Sequence, residues 1–279
     1  MVNKYIECID DLSNLSKLIV RKHPWGYAGV SVRGGRGDGK TAFAIHTGRE
    51  VYQFIDGITR DDAYEKILGV GNYSKQGSQI LFDLYGVVKA LEVMDNIDYE
   101  NILEWQSRNT IPYKIWDDAG MHGGKYKFFT DVKMVEALQG EIDTIRFILT
   151  GFVTTSPELS SILRFMQEYK DNLIVSVKKQ SPGATKYSRK AEVKRWYEDR
   201  NGNYRKRLAW TTNFSCYVDK WAYEEYTRMK ARAIIKNRNH LKKLLTVAKK
   251  IEIDKSEDQL LNEFGVPDEY KKILLDDKK

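Results

Sequence analysis

The sequence predicts an α/β fold, a mostly parallel sheet flanked by helices, with a basic β-hairpin and C-terminal helices after it. Three observations carry this prediction. Residues 34–41 read Gly-Gly-Arg-Gly-Asp-Gly-Lys-Thr, with the short β-branched run Tyr27-Ala28-Gly29-Val30-Ser31-Val32 before them and helix-compatible Ala42-Phe43-Ala44-Ile45 after them. Strand-like and helix-like segments then alternate as far as Val177, the pattern that builds a parallel sheet. From residue 181 the pattern changes to two strand-like runs around Asn201-Gly202 and a long basic helix.

Taken in chain order, Ile6, Ile9, Leu12, Leu15, Leu18 and Ile19 recur at helical spacing, so residues 4–21 form a lead-in helix. The first strand and glycine turn pass into a helix that runs to about Ile55. A polar stretch dotted with Gly69, Gly71 and Gly77 reads as a loop. Ser78 to Asp83 is a second strand, with Leu84 to Met94 compatible with helix, and Tyr99 to Arg108 is a helix. Ile111 to Trp116 is an apolar strand that ends in Asp117-Asp118. Helix over 131–144, strand over 146–153, helix over 157–169 and strand over 172–177 complete the alternation. Ser156-Pro157 supplies a capping residue followed by a proline suited to the first helical position. Beyond the break at Ser181-Pro182-Gly183, strands over 191–198 and 204–212 flank Asn201-Gly202, a dipeptide suited to a tight hairpin turn. Tyr223 to Lys250 is helical, and Ser256-Glu257-Asp258-Gln259 resembles a capping box opening a last short helix. The expected division is a lead-in helix over 1–25, a nucleotide-binding core over 26–180 and a hairpin with helices over 181–279.

The glycine turn fits G-x-x-x-x-G-K-[ST], a phosphate-binding loop, and stands between strand and helix as that motif requires. Gly34, Gly35, Arg36, Gly37, Asp38 and Gly39 are the candidate cradle, where glycines let backbone N–H groups turn in around phosphate oxygens. Lys40 offers a point charge and Thr41 a hydroxyl for Mg²⁺. The helix N-terminus adds partial positive charge. The embedded Arg36-Gly37-Asp38 tripeptide is incidental to this loop. Hydrolysis also needs carboxylates to hold metal and orient water. Asp117 and Asp118 stand at the carboxyl end of a strand, where ligands bind in open α/β sheets. Asp117 is the candidate metal residue, with Thr41, and Asp118 the candidate that polarises water. No Asn/Thr-Lys-x-Asp motif for guanine occurs.

The phosphate loop, Asp117-Asp118 and the run Ile148-Leu149-Thr150-Gly151-Phe152-Val153-Thr154-Thr155-Ser156-Pro157 together resemble the motifs of AAA+ ATPases. The Trp-Asp-Asp-Ala-Gly wording at 116–120 is similar to DnaA-like ATPases encoded by archaeal viruses and plasmids. The resemblance covers roughly residues 26–178. It implies ATP and Mg²⁺ as cofactors, Thr155 as a polar sensor with Thr154 and Thr150 as its neighbours, and Arg164 as an arginine finger toward an adjoining subunit of a homo-oligomer. No second sensor arginine in a helical lid is recognisable, and the hairpin over 181–215 is not part of the ordinary AAA+ core. A RecA-like or Zot-like assignment stays open.

Formal net charge is +7, but residues 181–250 hold 19 Lys or Arg against 6 Asp or Glu, a net of +13. The rest of the chain sums to −6. Lys186, Tyr187, Arg189, Lys190, Lys194, Arg195, Trp196 and Tyr197, then Tyr204 to Arg207 and Trp210, interleave cations with rings. Cations meet phosphates and rings stack on exposed bases, so DNA is the expected partner. The same aromatics equally suit packing of the hairpin onto the core. Only Cys8 and Cys216 and four histidines are present, which leaves little for a disulfide framework or structural zinc. No apolar run approaches the roughly 18–20 residues that span a bilayer, and the cytoplasm is the expected compartment. The expected function is a Mg²⁺-dependent ATPase acting on DNA. A virion assembly or packaging ATPase, or a nucleotide switch with little turnover, are the alternatives.

Overall fold

The computed structural model describes residues 5–82, 86, 89, 92–119, 140, 144–157, 172–180, 184–199 and 201–254, with side chains of the last helix followed to Lys236 and at Asn239. In chain order the elements are α1 (Asn14–Lys22), β1 (Ala28–Arg33), α2 (Lys40–Ile55), α3 (Arg60–Leu68), β2 (Ile80–Leu81), α4 (Ile102–Asn109), β3 (Ile111–Trp116), β4 (Leu149–Ser156), β5 (Leu173–Lys179), β6 (Ser188–Glu198), β7 (Tyr204–Ser215) and α5 (Lys220–Asp254). The strands form one seven-stranded sheet in the order β2-β3-β4-β1-β5-β6-β7. Strands β2 to β3, β3 to β4, β4 to β1 and β1 to β5 pair in parallel, while β6 and β7 add an antiparallel hairpin to its edge. The chain therefore has an α/β architecture, a mostly parallel sheet flanked by helices with an antiparallel hairpin at one edge.

Several boundaries differ from the sequence expectation for physical reasons. The lead-in helix begins only at Asn14, because the Ser13 hydroxyl caps it by accepting from the Ser16 N–H. The stretch read as a loop after α2 contains α3, capped by Thr59 and burying Ala63, Tyr64, Ile67 and Leu68 at helical spacing. Gly69, in the left-handed region at φ 66°, ends α3, so that glycine marks a helix stop rather than a continuing loop. Strand β4 starts three residues later than expected. Residues 144–148 stay helical, with Ile145 and Ile148 buried on one side. The helices expected over 131–144 and 157–169, the continuation over 84–94 and the last helix at Ser256 lie wholly or largely outside the described residues.

The core is set by large side chains between α2 and the sheet. Tyr52 of α2 donates to the Tyr113 carbonyl at 2.6 Å, and Tyr113 of β3 donates back to the Ala44 carbonyl at 2.8 Å. Trp116, Ile148, Leu149, Phe152 and Ile174 fill the other face. Trp196 of β6 packs against this cluster, so at least one hairpin ring serves as core.

The chain divides into a compact unit Met1–Tyr226 and a second unit Thr227–Lys279. The hairpin belongs to the first unit as part of its sheet. The second unit, by itself, starts with the continuation of α5 and exposes Arg228, Arg232, Ile234, Ile235 and Lys236. Among the described residues no helix is long and apolar enough to cross a membrane.

Candidate nucleotide site

Register decides which residues meet at the carboxyl ends of the parallel strands. Val32 lies opposite Thr155 and Arg33 opposite Ser156 and Ser176, while Trp116 lies opposite Thr154. The turn 34–39 after β1, Asp117 after β3 and Thr155 near the end of β4 are thereby brought to one level. This is the edge at which open α/β sheets hold ligands.

The glycine turn leads directly into α2, whose N-cap is Gly39 at φ 92°. A side chain there would be strained, and its Cβ would lie 2.8 Å from Cys216 Cβ. Arg36 and Gly37 form the exposed tip, with Gly37 at φ 81°. The loop is held from inside and outside. Lys40, buried at the first helical position, donates from Nζ to the Gly34 and Gly35 carbonyls at 2.9 and 3.0 Å. Asp38 Oδ2 accepts from the Gly35 N–H at 2.6 Å, so an anionic oxygen already seats on a loop amide. From outside, Arg189 of β6 donates from Nε to the Asp38 carbonyl at 2.9 Å and from Nη2 to the Gly37 carbonyl at 3.3 Å. Its Nη1 bonds the Lys186 and Ser188 carbonyls. Composition alone puts Arg189 on a nucleic-acid surface; the structure buries it against the loop.

Next to the loop is a cluster centred on Asp117, which is fully buried. Thr41 Oγ1 donates to Asp117 Oδ1 at 2.8 Å, and Thr155 Oγ1 donates to the same oxygen at 2.7 Å. The Thr155 hydroxyl also accepts from the Asp118 N–H at 3.0 Å. Asp118 holds φ 50°, the one non-glycine residue with positive φ among the described residues, in the turn that leaves β3. Such backbone strain is found where a site fixes a side chain's direction. Tyr226 of α5 donates from its phenol to Asp117 Oδ2 at 2.6 Å. No sequence motif points to Tyr226. Thr154 bonds the Val30 carbonyl and Ser31 hydroxyl, and Thr150 pairs with His23 Nδ1, so both neighbours of Thr155 bond away from the cluster. Arg164 lies outside the described residues.

The chemistry of these groups fits a magnesium nucleotide. Hydroxyl and carboxylate oxygens in contact are the hard donors Mg²⁺ takes, usually with retained waters. Among the described residues no group of three or more His, Cys, Asp or Glu suggests another metal. The amides of a glycine turn, a helix N-terminus and a lysine present positive charge to an anion. One side chain behind this face, His46 of α2, is driven down to a pKa of about 4, chiefly by burial and then by the Arg49 charge.

Comparison with known proteins adds a viral relative and a loose structural likeness. No protein family model matches the sequence. The chain is 25 % identical over 215 residues to uncharacterized protein B-251 of Sulfolobus spindle-shape virus 1, covering 76 % of each chain. Among solved structures it is similar to an ATPase domain, with a TM-score of 0.32 and 7 % identity, over 66 % of this chain and 81 % of that one.

Proposed function

We propose that this protein is a Mg²⁺-dependent ATPase acting on DNA, in replication initiation, helicase loading or a related transaction of a mobile element. The observation that carries the reading is the bond from Thr41 to Asp117 at the mouth of a glycine loop whose lysine is buried within it. In this reading the amides of Gly34 to Gly39 and the Lys40 ammonium bind the phosphates, and Thr41 and Asp117 hold magnesium. Bound there, magnesium supplies charge neutralisation for the phosphoryl oxygens. Asp118 orients and deprotonates water, and Thr155 fixes Asp118 and Asp117 in register. In a homo-oligomer, Arg164 of one subunit would serve its neighbour's site. The viral relative supports a mobile-element setting.

DNA enters this reading through the hairpin. Cross-strand partners share a face, and Arg195 stands directly opposite Arg207, with Tyr197 opposite Arg205 in the next pair of that face. Like charges directly opposite destabilise a ladder unless an anion lies across them. Arg207 packs over the Tyr197 ring at 5.6 Å, which aligns a cation and a ring on that face. The turn of the hairpin projects at the far end of the sheet from the glycine loop, since Arg195 pairs with Leu173 at the start of β5 while Arg189 pairs with Lys179 at its end.

The test is the salt dependence of DNA binding by the full chain and by Arg195→Ala/Arg207→Ala. Removing one cation from a phosphate is expected to lower the slope of log affinity against log salt by about 1, so the double variant should show a slope smaller by about 2. Equal slopes, or no affinity for single- or double-stranded DNA at low salt, would remove the hairpin from DNA and favour an assembly or packaging ATPase with a protein partner.

A further inference from the structure

Within the first unit, the first turns of α5, with Val218 and Asp219 just before them, pack through one face. Val218 and Ala222 are buried, Asp219 pairs with Arg60 at 2.9 Å, and Trp221 meets the Tyr64 ring edge-on. Tyr226, one helical turn beyond Ala222, is buried with Phe82 beside its ring. For docking alone, a phenylalanine at this position would serve. The phenol instead points at Asp117 Oδ2 with a separation of 2.6 Å, the short distance of an O–H donor on a carboxylate. A carboxylate has about four acceptor positions. Thr41 and Thr155 take Oδ1 and Tyr226 takes Oδ2, so both oxygens are fixed and the carboxylate plane cannot turn without breaking one of three bonds.

We propose that Tyr226 is a positioning residue of the magnesium site and that, through it, nucleotide binding is coupled to the docking of the first turns of α5. The inference rests on the nucleotide reading given above and goes beyond it, because it makes those turns a reporter of the site's state. Partners that orient a metal's ligands typically change metal affinity by 10- to 100-fold when removed. Coupling is reciprocal: if the phenol favours the metal-bound site, the metal-bound site favours the docked helix by the same factor. Magnesium nucleotide then tightens residues 220–226, and removal of the phenol unlinks the two.

The test uses the full chain, wild type beside Tyr226→Phe, with Tyr223→Phe as a control that removes a neighbouring phenol. N-methylanthraniloyl-ATP is titrated in EDTA and then over a magnesium series. We expect equal affinity in EDTA, and about a 10-fold higher magnesium concentration for half-maximal enhancement in Tyr226→Phe only. Hydrogen exchange supplies a second reading that needs no variant: in wild type, magnesium with ATPγS should slow amide exchange across 220–226, and magnesium alone should not. An unchanged magnesium requirement in Tyr226→Phe, or exchange over 220–226 indifferent to the magnesium nucleotide that wild type binds, would overturn the coupling. Absence of any nucleotide binding by wild type would overturn the site itself and the coupling with it.

Discussion

Asp117 gathers hydroxyls from three separate stretches of chain, those of Thr41, Thr155 and Tyr226. Behind it, on the same helix as Thr41, His46 is placed where a proton is costly. Burial and the charges of Arg49 and Arg60 lower its pKa to about 4, partly offset by the backbone carbonyls of Tyr217 and Ser215, which favour the protonated ring as a donor. A histidine with a lowered folded pKa stabilises the fold fully above the unfolded value near 6.5. That contribution is lost as pH falls from there toward 4, because the unfolded chain takes up the proton first. From 6.5 down to about 4, the shift corresponds to roughly 3 kcal/mol. Urea unfolding of wild type and His46→Gln at pH 7 and pH 4 checks it: the variant should lose about that much less stability on acidification. A parallel loss in both proteins would assign the acid sensitivity elsewhere. Lys40, Thr41 and Asp117 are legible in the sequence because fixed spacing and strand-end position identify them. Tyr226 is not legible, since its role arises from a bond across 109 residues of sequence that no local pattern encodes.

At the level of elements, the hairpin is joined to the glycine loop as well as to the sheet. Arg189 clamps the carbonyls of Gly37 and Asp38, Phe214 meets Phe43 of α2 at 5.1 Å, and Cys216 lies against Gly39. Replacing Arg189 with Ala removes the hydrogen bonds of a buried guanidinium to the Gly37, Asp38, Lys186 and Ser188 carbonyls, a loss of about 1.5–3 kcal/mol for bonds from a charged donor. The variant should melt lower and bind nucleotide several-fold more weakly, with Arg189→Lys recovering only part because an ammonium cannot reproduce the planar fork. Calorimetric nucleotide titration beside thermal melts measures both; unchanged affinity would show that the loop holds its shape without the hairpin. The hairpin's existence is readable from Asn201-Gly202 between alternating runs, and β6 and β7 extend it at the base to 188 and 215. What its residues do is less readable. Composition treats Arg189, Arg195 and Arg207 alike, whereas position along the hairpin buries the first against the loop and leaves the other two exposed across from one another. Helix α3 escapes a reading by composition because its flanking glycines, which terminate it, dominate the local pattern.

Over the whole first unit, one sheet carries the glycine loop and the hairpin turn at its opposite ends. The carboxyl ends of β1, β3 and β4 carry the glycine loop, Asp117 and Thr155, and the turn of the hairpin carries exposed arginines at the other end. The strand order, with β4 between the loop strand and the Asp117 strand, follows from non-local pairing and cannot be read from the sequence, although the alternation that produces a parallel sheet can. The edge strand β7 is long, and its exposed Arg205, Lys206 and Arg207 guard it against pairing with another chain while offering charge to a polyanion. Whether Lys40, Thr41 and Asp117 form a working ATP site is decided by steady-state phosphate release from ATP with Mg²⁺, wild type beside Lys40→Ala. Wild type should release phosphate in a magnesium-dependent way, and the variant at least about 100-fold more slowly, the scale expected when a preorganised charge on the transferring phosphoryl group is removed. Equal release from the two proteins would refute the site.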